Sequence, residues 1–105
     1  MIIPYLRVEQ MTSPTSYRPI ANQFTIHTEK GVYFQSYSTI IAYIPQGEHC
    51  QHQTEEENKI KLDKHSWDYS RTTAKYRNKF LGQDTKEVKR KIKEGIYVLV
   101  DLNKA

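Results

Sequence analysis

The 105-residue chain has one cysteine, Cys50, and only four glycines. A single cysteine cannot form an internal disulfide, which is typical of a protein from a reducing compartment. The glycines are scattered, so the sequence contains no glycine-rich phosphate loop. No run approaches the roughly 18 apolar residues of a membrane span, and the apolar start at residues 1–4 is too short for a secretory signal. We therefore expect a cytoplasmic protein without membrane contact.

The polar stretch 48–58 contains the side chains closest to a chemical site. His49, Cys50 and His52 precede Glu55, and zinc accepts such ligands. Metal sites usually draw ligands from two separated places, however, and only two other histidines remain in the chain. Cys50 has neighbouring imidazoles but no oxyanion motif after it, and the aspartates of the second half suit strand ends and helix caps. We interpret 48–58 as an exposed loop and expect no metal, no cofactor and no enzymatic activity.

Charge is distributed unevenly along the sequence. The net charge is +4, but residues 1–58 contain three basic and six acidic side chains, and residues 59–105 contain thirteen and six. Such polarity indicates a partner that is negatively charged on one side. The alternative is that the lysine-rich segments only keep the protein soluble.

The clearest β signal lies between Asn22 and Ile44. Alternating apolar and polar residues on both sides of Gly31 predict a hairpin, and 39–44 predicts a third strand that is central or covered. The alternation in 59–63 predicts a short strand near a sheet edge. Residues 2–9 contain a proline and are either an edge strand or an extended arm, and 11–19 is predicted to be a loop.

The segment 65–82 holds the only tryptophan and ends on Gly82. We predict a helix capped by Ser66 or Asp68, with Tyr69, Thr73, Tyr76 and Phe80 on its buried face. Gly82 suits the position that closes a helix.

A second helix is predicted over 85–94. Asp84 and Glu87 have capping-box spacing, Val88 and Ile92 face inward, and Gly95 ends the helix. The apolar run 96–102 predicts a final strand inside the sheet. The fold class is therefore α+β: a mostly antiparallel sheet of about five strands with two adjacent helices on one face, in the order β-β-β-β-α-α-β. Residues 1–21 form an extended arm, and 22–105 form one domain with a polar loop at 48–58.

The basic residues of the helix pair are the main candidate contact surface. Hydroxyl and amide side chains between them suit phosphate contacts. The candidates are Arg71, Lys75, Lys79, Lys86, Lys89, Arg90 and Lys93. A second candidate surface is the acidic run Glu55, Glu56 and Glu57, which would mimic phosphates toward a basic groove.

The string WDYSRTTAKYRNKFLG at 67–82, followed by a lysine-rich helix and GIYVLVDLN at 95–103, resembles a family of small proteins encoded by bacteriophages and mobile elements. The resemblance extends to residues 22–44. It implies no catalytic residues; it implies an accessory protein of a mobile element. Proteins of that kind are often inhibitors of host defence, including anti-CRISPR proteins.

Two functional expectations follow. The first is a non-catalytic binding protein that inhibits a bacterial defence system such as CRISPR-Cas, by contact with a host defence protein or ribonucleoprotein. The second is a small regulator that binds nucleic acid through its basic helix pair. A virion assembly module is a third interpretation.

Overall fold

A computed structural model describes residues 5–104 of the chain. It contains six strands, two α-helices and one short 3-10 helix, Glu48–His52. The strands are β1 (Tyr5–Thr12), β2 (Pro19–Thr28), β3 (Gly31–Ser36), β4 (Thr39–Pro45), β5 (Ile60–Asp63) and β6 (Tyr97–Val100). The helices are α1 (Arg71–Leu81) and α2 (Thr85–Lys93). Neither helix of this part of the chain is long and apolar enough to cross a membrane.

All six strands form one sheet in which spatial order follows chain order. Neighbouring strands are antiparallel except β5 and β6, which are parallel. A parallel pair needs a long crossover, and the segment containing α1 and α2 supplies it. The predicted α+β class is confirmed, and β4 lies in the middle of the sheet as expected.

The two faces of the sheet have different cores. On the helix side, buried residues from β3, β4, β5, α2 and β6 pack together: Phe34, Ile41, Ala42, Leu62, Val88 and Tyr97. Trp67, Tyr76 and Phe80 pack against this cluster from α1 and the segment before it. On the other face a smaller cluster joins Ile26, Ile40 and Leu102. The helix side is therefore the principal core, and it fixes α1 and α2 against the sheet.

The helix boundaries show which local signals operate. Asp84 caps α2 by accepting a hydrogen bond from the Glu87 amide at 2.8 Å, as predicted. The predicted start of α1 at Ser66 or Asp68 is wrong, because the cap is Ser70, which accepts from the Thr73 amide at 3.1 Å. Tyr69 therefore precedes the helix and is exposed rather than buried. Gly82 ends α1 with φ 70°, in the left-handed region that glycine favours.

The two edges of the sheet differ from expectation. Residues 5–12 pair with β2 as a full strand, so the sheet has six strands rather than about five. The expected interior position of the last strand is wrong, because β6 pairs only with β5 and lies at the opposite edge. Its apolar pattern arises because Tyr97 is buried on the helix side and Val100 packs against the cluster on the other face. A strand can therefore be covered on both faces of the sheet although only one of its edges pairs with another strand.

Candidate nucleic-acid interface

Arg77 anchors the inner face of α1. Its guanidinium is fully buried and donates to the Trp67 carbonyl at 2.6 Å and to the Asp68 carboxylate at 3.0 Å. It also donates to the Asn78 side chain at 2.7 Å and to the Thr85 hydroxyl at 3.0 Å. Arg77 thus joins the turn before α1 to the start of α2, and its charge is unavailable to a partner.

The outer face of α1 presents three cations at four-residue intervals, which places them on one stripe. We call Arg71, Lys75 and Lys79 the α1 stripe; all three are exposed. The Lys79 ammonium donates to the Thr12 carbonyl at 2.9 Å, and the Lys75 ammonium lies 5.3 Å from the ring centroid of Tyr76. Within the described chain none of the three forms an ion pair. The stripe therefore keeps its full positive charge.

A groove of about 350 Å³ runs between α1 and the loop that joins β1 to β2. We call it the α1 groove; its lining residues are Ser13, Pro14, Thr15, Ile20, Lys75, Tyr76 and Lys79. Proline, isoleucine and the tyrosine ring supply apolar walls, and two ammonium groups and two hydroxyls supply polar contacts. The arrangement suits a ligand that has a flat apolar body and an anionic group.

The cations of α2 do not join this surface. Lys86, Lys89 and Lys93 are exposed, but α2 packs against β6, whereas the α1 stripe borders the β1–β2 loop near the other edge. Arg90 is engaged by both Glu87 and Glu94. These ion pairs neutralise part of the α2 surface. The predicted basic candidates therefore divide into two separate groups, of which α1 has the groove.

The predicted acidic run is partly neutralised by its neighbours. Glu56 pairs with Lys59 at 2.8 Å, and Glu57 accepts from the Thr54 hydroxyl at 3.0 Å. The Lys61 ammonium also binds the Glu57 backbone carbonyl at 2.9 Å. Glu55, Glu56 and Glu57 all remain exposed, but the neighbouring lysines mean that they do not form an uncompensated negative patch.

A second cavity, of about 470 Å³, lies at the ends of β4 and β5. Its main polar groups include Asp63, His65 and Ser66, but the serine hydroxyl donates directly to the Asp63 carboxylate at 2.5 Å rather than to an imidazole. The Leu102 amide also donates to Asp63, at 3.0 Å. Burial alone would raise the pKa of Asp63, but hydrogen bonds from Ser66, Leu102 and Asn103 lower it below its ordinary value. The carboxylate therefore ties Leu102 and Ser66 to the end of β5.

The histidine and cysteine candidates are engaged locally. His49 Nε2 lies 2.7 Å from the Lys30 carbonyl, and His49 Nδ1 lies 2.7 Å from the Gln53 amide nitrogen. Cys50 Sγ lies 3.8 Å from His49 Nε2. Residues 5–104 contain no group of three or more histidine, cysteine or acidic side chains positioned to hold a metal ion.

Sequence reasoning missed the α1 groove and the buried arginine. The groove requires contact between α1 and a loop more than fifty residues earlier, and no local pattern reports such a contact. Arg77 occupies a position four residues after the buried Thr73. The four-residue spacing from Thr73 was the available signal that residue 77 faces the core, but a charged residue in an amphipathic helix is usually assigned to the solvent side.

The fold and this site define a small α+β protein with a cationic groove on one helix. The chain belongs to the family described as a family of unknown function (DUF8033), whose model matches residues 6–95. No curated protein matches the chain, and no solved structure does so either.

Proposed function

We propose that this protein is a non-catalytic binding protein whose α1 stripe contacts the phosphate backbone of nucleic acid. The observation that carries the proposal is the stripe itself, three cations on one helix face without ion-pair partners in the described chain. Phosphate contacts by lysine and arginine supply most of the affinity of such binding. The neighbouring Ser13 and Thr15 hydroxyls hydrogen-bond each other at 3.1 Å, which leaves one hydroxyl proton as a further donor of the kind that contacts phosphates.

The resemblance to mobile-element proteins suggests where that nucleic acid is found. We propose a bacterial defence ribonucleoprotein, such as a CRISPR-Cas effector, as the partner, and inhibition of that effector as the outcome in the cytoplasm of the host cell. The acidic run at Glu55, Glu56 and Glu57 supports phosphate mimicry poorly, since Glu56 pairs with Lys59 and the Lys61 ammonium lies against the Glu57 backbone carbonyl. The α1 stripe is therefore the contact surface we favour.

The second candidate function is a regulator that binds free nucleic acid. The same α1 groove favours it, because a helix with a concave site beside it can hold a nucleic-acid strand without a second protein. It differs from the first candidate in that inhibition of a defence effector would be absent.

The test measures binding of labelled nucleic acid by the purified full chain at about 50 and about 200 mM salt. Lys75→Glu with Lys79→Glu is the test variant. Lys30→Glu with Lys64→Glu is the matched control, because it changes the net charge equally at two exposed lysines outside the groove. We expect affinity to fall steeply with salt and the test variant to bind at least about tenfold more weakly. Absence of binding by the parent at low salt, or equal losses in both variants, would overturn the proposal.

The same pair of variants separates the two candidates in cells. If the protein inhibits a defence effector, the parent and the control protect an incoming phage genome and the test variant does not. If it is a regulator, none of the three protects, although binding in vitro follows the pattern above.

A further inference from the structure

The α1 groove is concave and largely apolar, although two cations lie at it. Its walls include Pro14, Ile20 and the ring of Tyr76. A groove made only to attract phosphate would not need such walls, because an ammonium group binds phosphate from an open surface. The apolar walls therefore indicate that part of the ligand enters the groove.

The groove is small, and its volume of about 350 Å³ falls near the lower end of the range of about 300–1,000 Å³ typical of small-molecule sites. One base with its sugar and phosphate suits this space better than a larger group does. The ring of Tyr76, over which the Lys75 ammonium lies at 5.3 Å, and the side chains of Pro14 and Ile20 supply apolar surface against which a base would pack. The groove is thus matched to one nucleotide at a time.

The cations at the groove are positioned before any ligand arrives. The Lys79 ammonium donates one hydrogen bond to the Thr12 carbonyl and, because it has three N–H donors, retains two for a phosphate. Lys75 lies over the Tyr76 ring, at the boundary between the apolar wall and the charged stripe. A base among the apolar walls would place its phosphate within reach of both ammonium groups.

We propose that the α1 groove receives an unstacked base, so that the protein binds single-stranded nucleic acid in preference to duplex. The inference rests on the proposed function and names the ligand of the same site. In a duplex the bases are stacked and paired, and only phosphates and base edges are presented. In a single strand each base exposes a flat face to aromatic and apolar side chains, and stacking of this kind is independent of sequence.

The β1–β2 loop strengthens the preference. Besides the groove residues 13–15, it carries Tyr17, whose side chain is 80 % exposed, and the exposed Arg18. An exposed aromatic ring followed by a cation is the combination that single-strand-binding surfaces use along the backbone. The single strand of nucleic acid would therefore continue from the groove over this loop.

The experiment compares one sequence as a labelled single strand and as a duplex, at equal salt. Ile20→Ser removes an apolar wall and leaves the charge unchanged. Val8→Ser is its matched control, because Val8 lies on the neighbouring strand, is 48 % exposed and does not line the groove. Thr15→Glu is a second variant, which places a carboxylate in the groove from an exposed loop position and does not depend on tolerance of a strand substitution.

We expect the parent to bind the single strand about tenfold more tightly than the duplex, a value within the range of base–aromatic stacking. Ile20→Ser and Thr15→Glu should remove that preference, and Val8→Ser should keep it. Equal binding of both forms by the parent, or a preference that survives both groove variants, overturns the inference. If the preference for single strands is disproved in this way but Lys75→Glu with Lys79→Glu still weakens binding, the proposed function stands without this inference. If the parent binds neither the single strand nor the duplex, both the inference and the proposed function are overturned.

Discussion

Arg77 and Arg90 are two arginines on adjacent helices, and each makes several hydrogen bonds to more than one partner. Arg77 is excluded from solvent and joins Asp68, Asn78 and Thr85 across two helices. Arg90 is exposed and bonds only Glu87 on its own helix and Glu94 directly after it. The two sets of hydrogen bonds are similar, but water can replace the partners of Arg90 and does not reach the guanidinium of Arg77. Burial, rather than the number of bonds, decides which arginine holds the fold.

The comparison also separates structural charge from charge available to a partner. Arg77 and Arg90 are both used within the protein, one by the core and one by its own helix. The α1 stripe is engaged only by backbone and ring contacts. The basic candidates that sequence counting treats alike therefore have different roles.

Replacement of Arg77 should have the largest effect. Arg77→Met keeps a long apolar stem but leaves the Trp67 carbonyl and the Asn78 side-chain oxygen without their donor, whereas the Thr85 hydroxyl still accepts from the Asn78 amide. Removing one partner of a buried pair typically costs about 3–5 kcal/mol; we expect about 3 kcal/mol, because Asp68 is partly exposed and water can solvate it. The measurement is the free energy of unfolding in urea.

Two variants make this prediction specific. Arg77→Lys retains the charge but lacks the planar fork, so it should recover only part of the loss. Asp68→Asn should cost less than either, because the other acceptors of Arg77 remain in place. A urea midpoint for Arg77→Met equal to that of the parent would contradict the structural role of Arg77.

Gln23 sharpens the comparison, because it is as buried as Arg77 and has no hydrogen-bond partner among the described residues. Both the nitrogen and the oxygen of its side-chain amide lack a partner. An unpaired buried amide costs about 1–3 kcal/mol. Gln23→Met, which is close in shape and apolar, should therefore raise the free energy of unfolding by about 1 kcal/mol.

The control for Gln23 is the neighbouring polar pair on the same face. The hydroxyls of Ser36 and Thr73 lie 3.1 Å apart and are both buried, so Thr73→Val should destabilise by about 1 kcal/mol as it leaves Ser36 unpaired. Opposite signs for the two variants would confirm that bonding, at equal burial, sets the outcome. A loss of stability in Gln23→Met would contradict the cost that we assign to the unpaired amide.

Local signals were sufficient where a structure is determined by neighbouring residues. The β2–β3 hairpin follows from the alternation on both sides of Gly31, and the cap of α2 at Asp84 follows from capping-box spacing; the sequence predicted both. Gly31 has a further role that no pattern shows: a Cβ there would lie 2.6 Å from the Tyr43 ring. The α+β class could be predicted because it needs only the order of such elements.

Errors arose where distant residues compete with a local signal. Ser66 is a good cap residue by type, but its hydroxyl is held by Asp63, so α1 begins after Ser70. The position of β6 depends on which strand it meets after the crossover, and its apolar run has no information about that. The α1 groove needs a tertiary contact between Thr12 and Lys79. The basic residues at the site could be found from sequence, but their division between two surfaces could not.

Replacement of Arg90 should have the smallest effect on stability. Arg90→Gln keeps a good helix former and removes two ion pairs that are exposed to water and screened by salt. We expect a urea midpoint indistinguishable from that of the parent. The local change should nevertheless be measurable, because the hydrogen bond from Arg90 holds the pKa of Glu87 below its ordinary value. NMR titration should show that pKa rising in the variant while the pKa of Asp63 stays low. A clear loss of stability would mean that Arg90 supports the core as Arg77 does, and that exposure does not separate the two arginines.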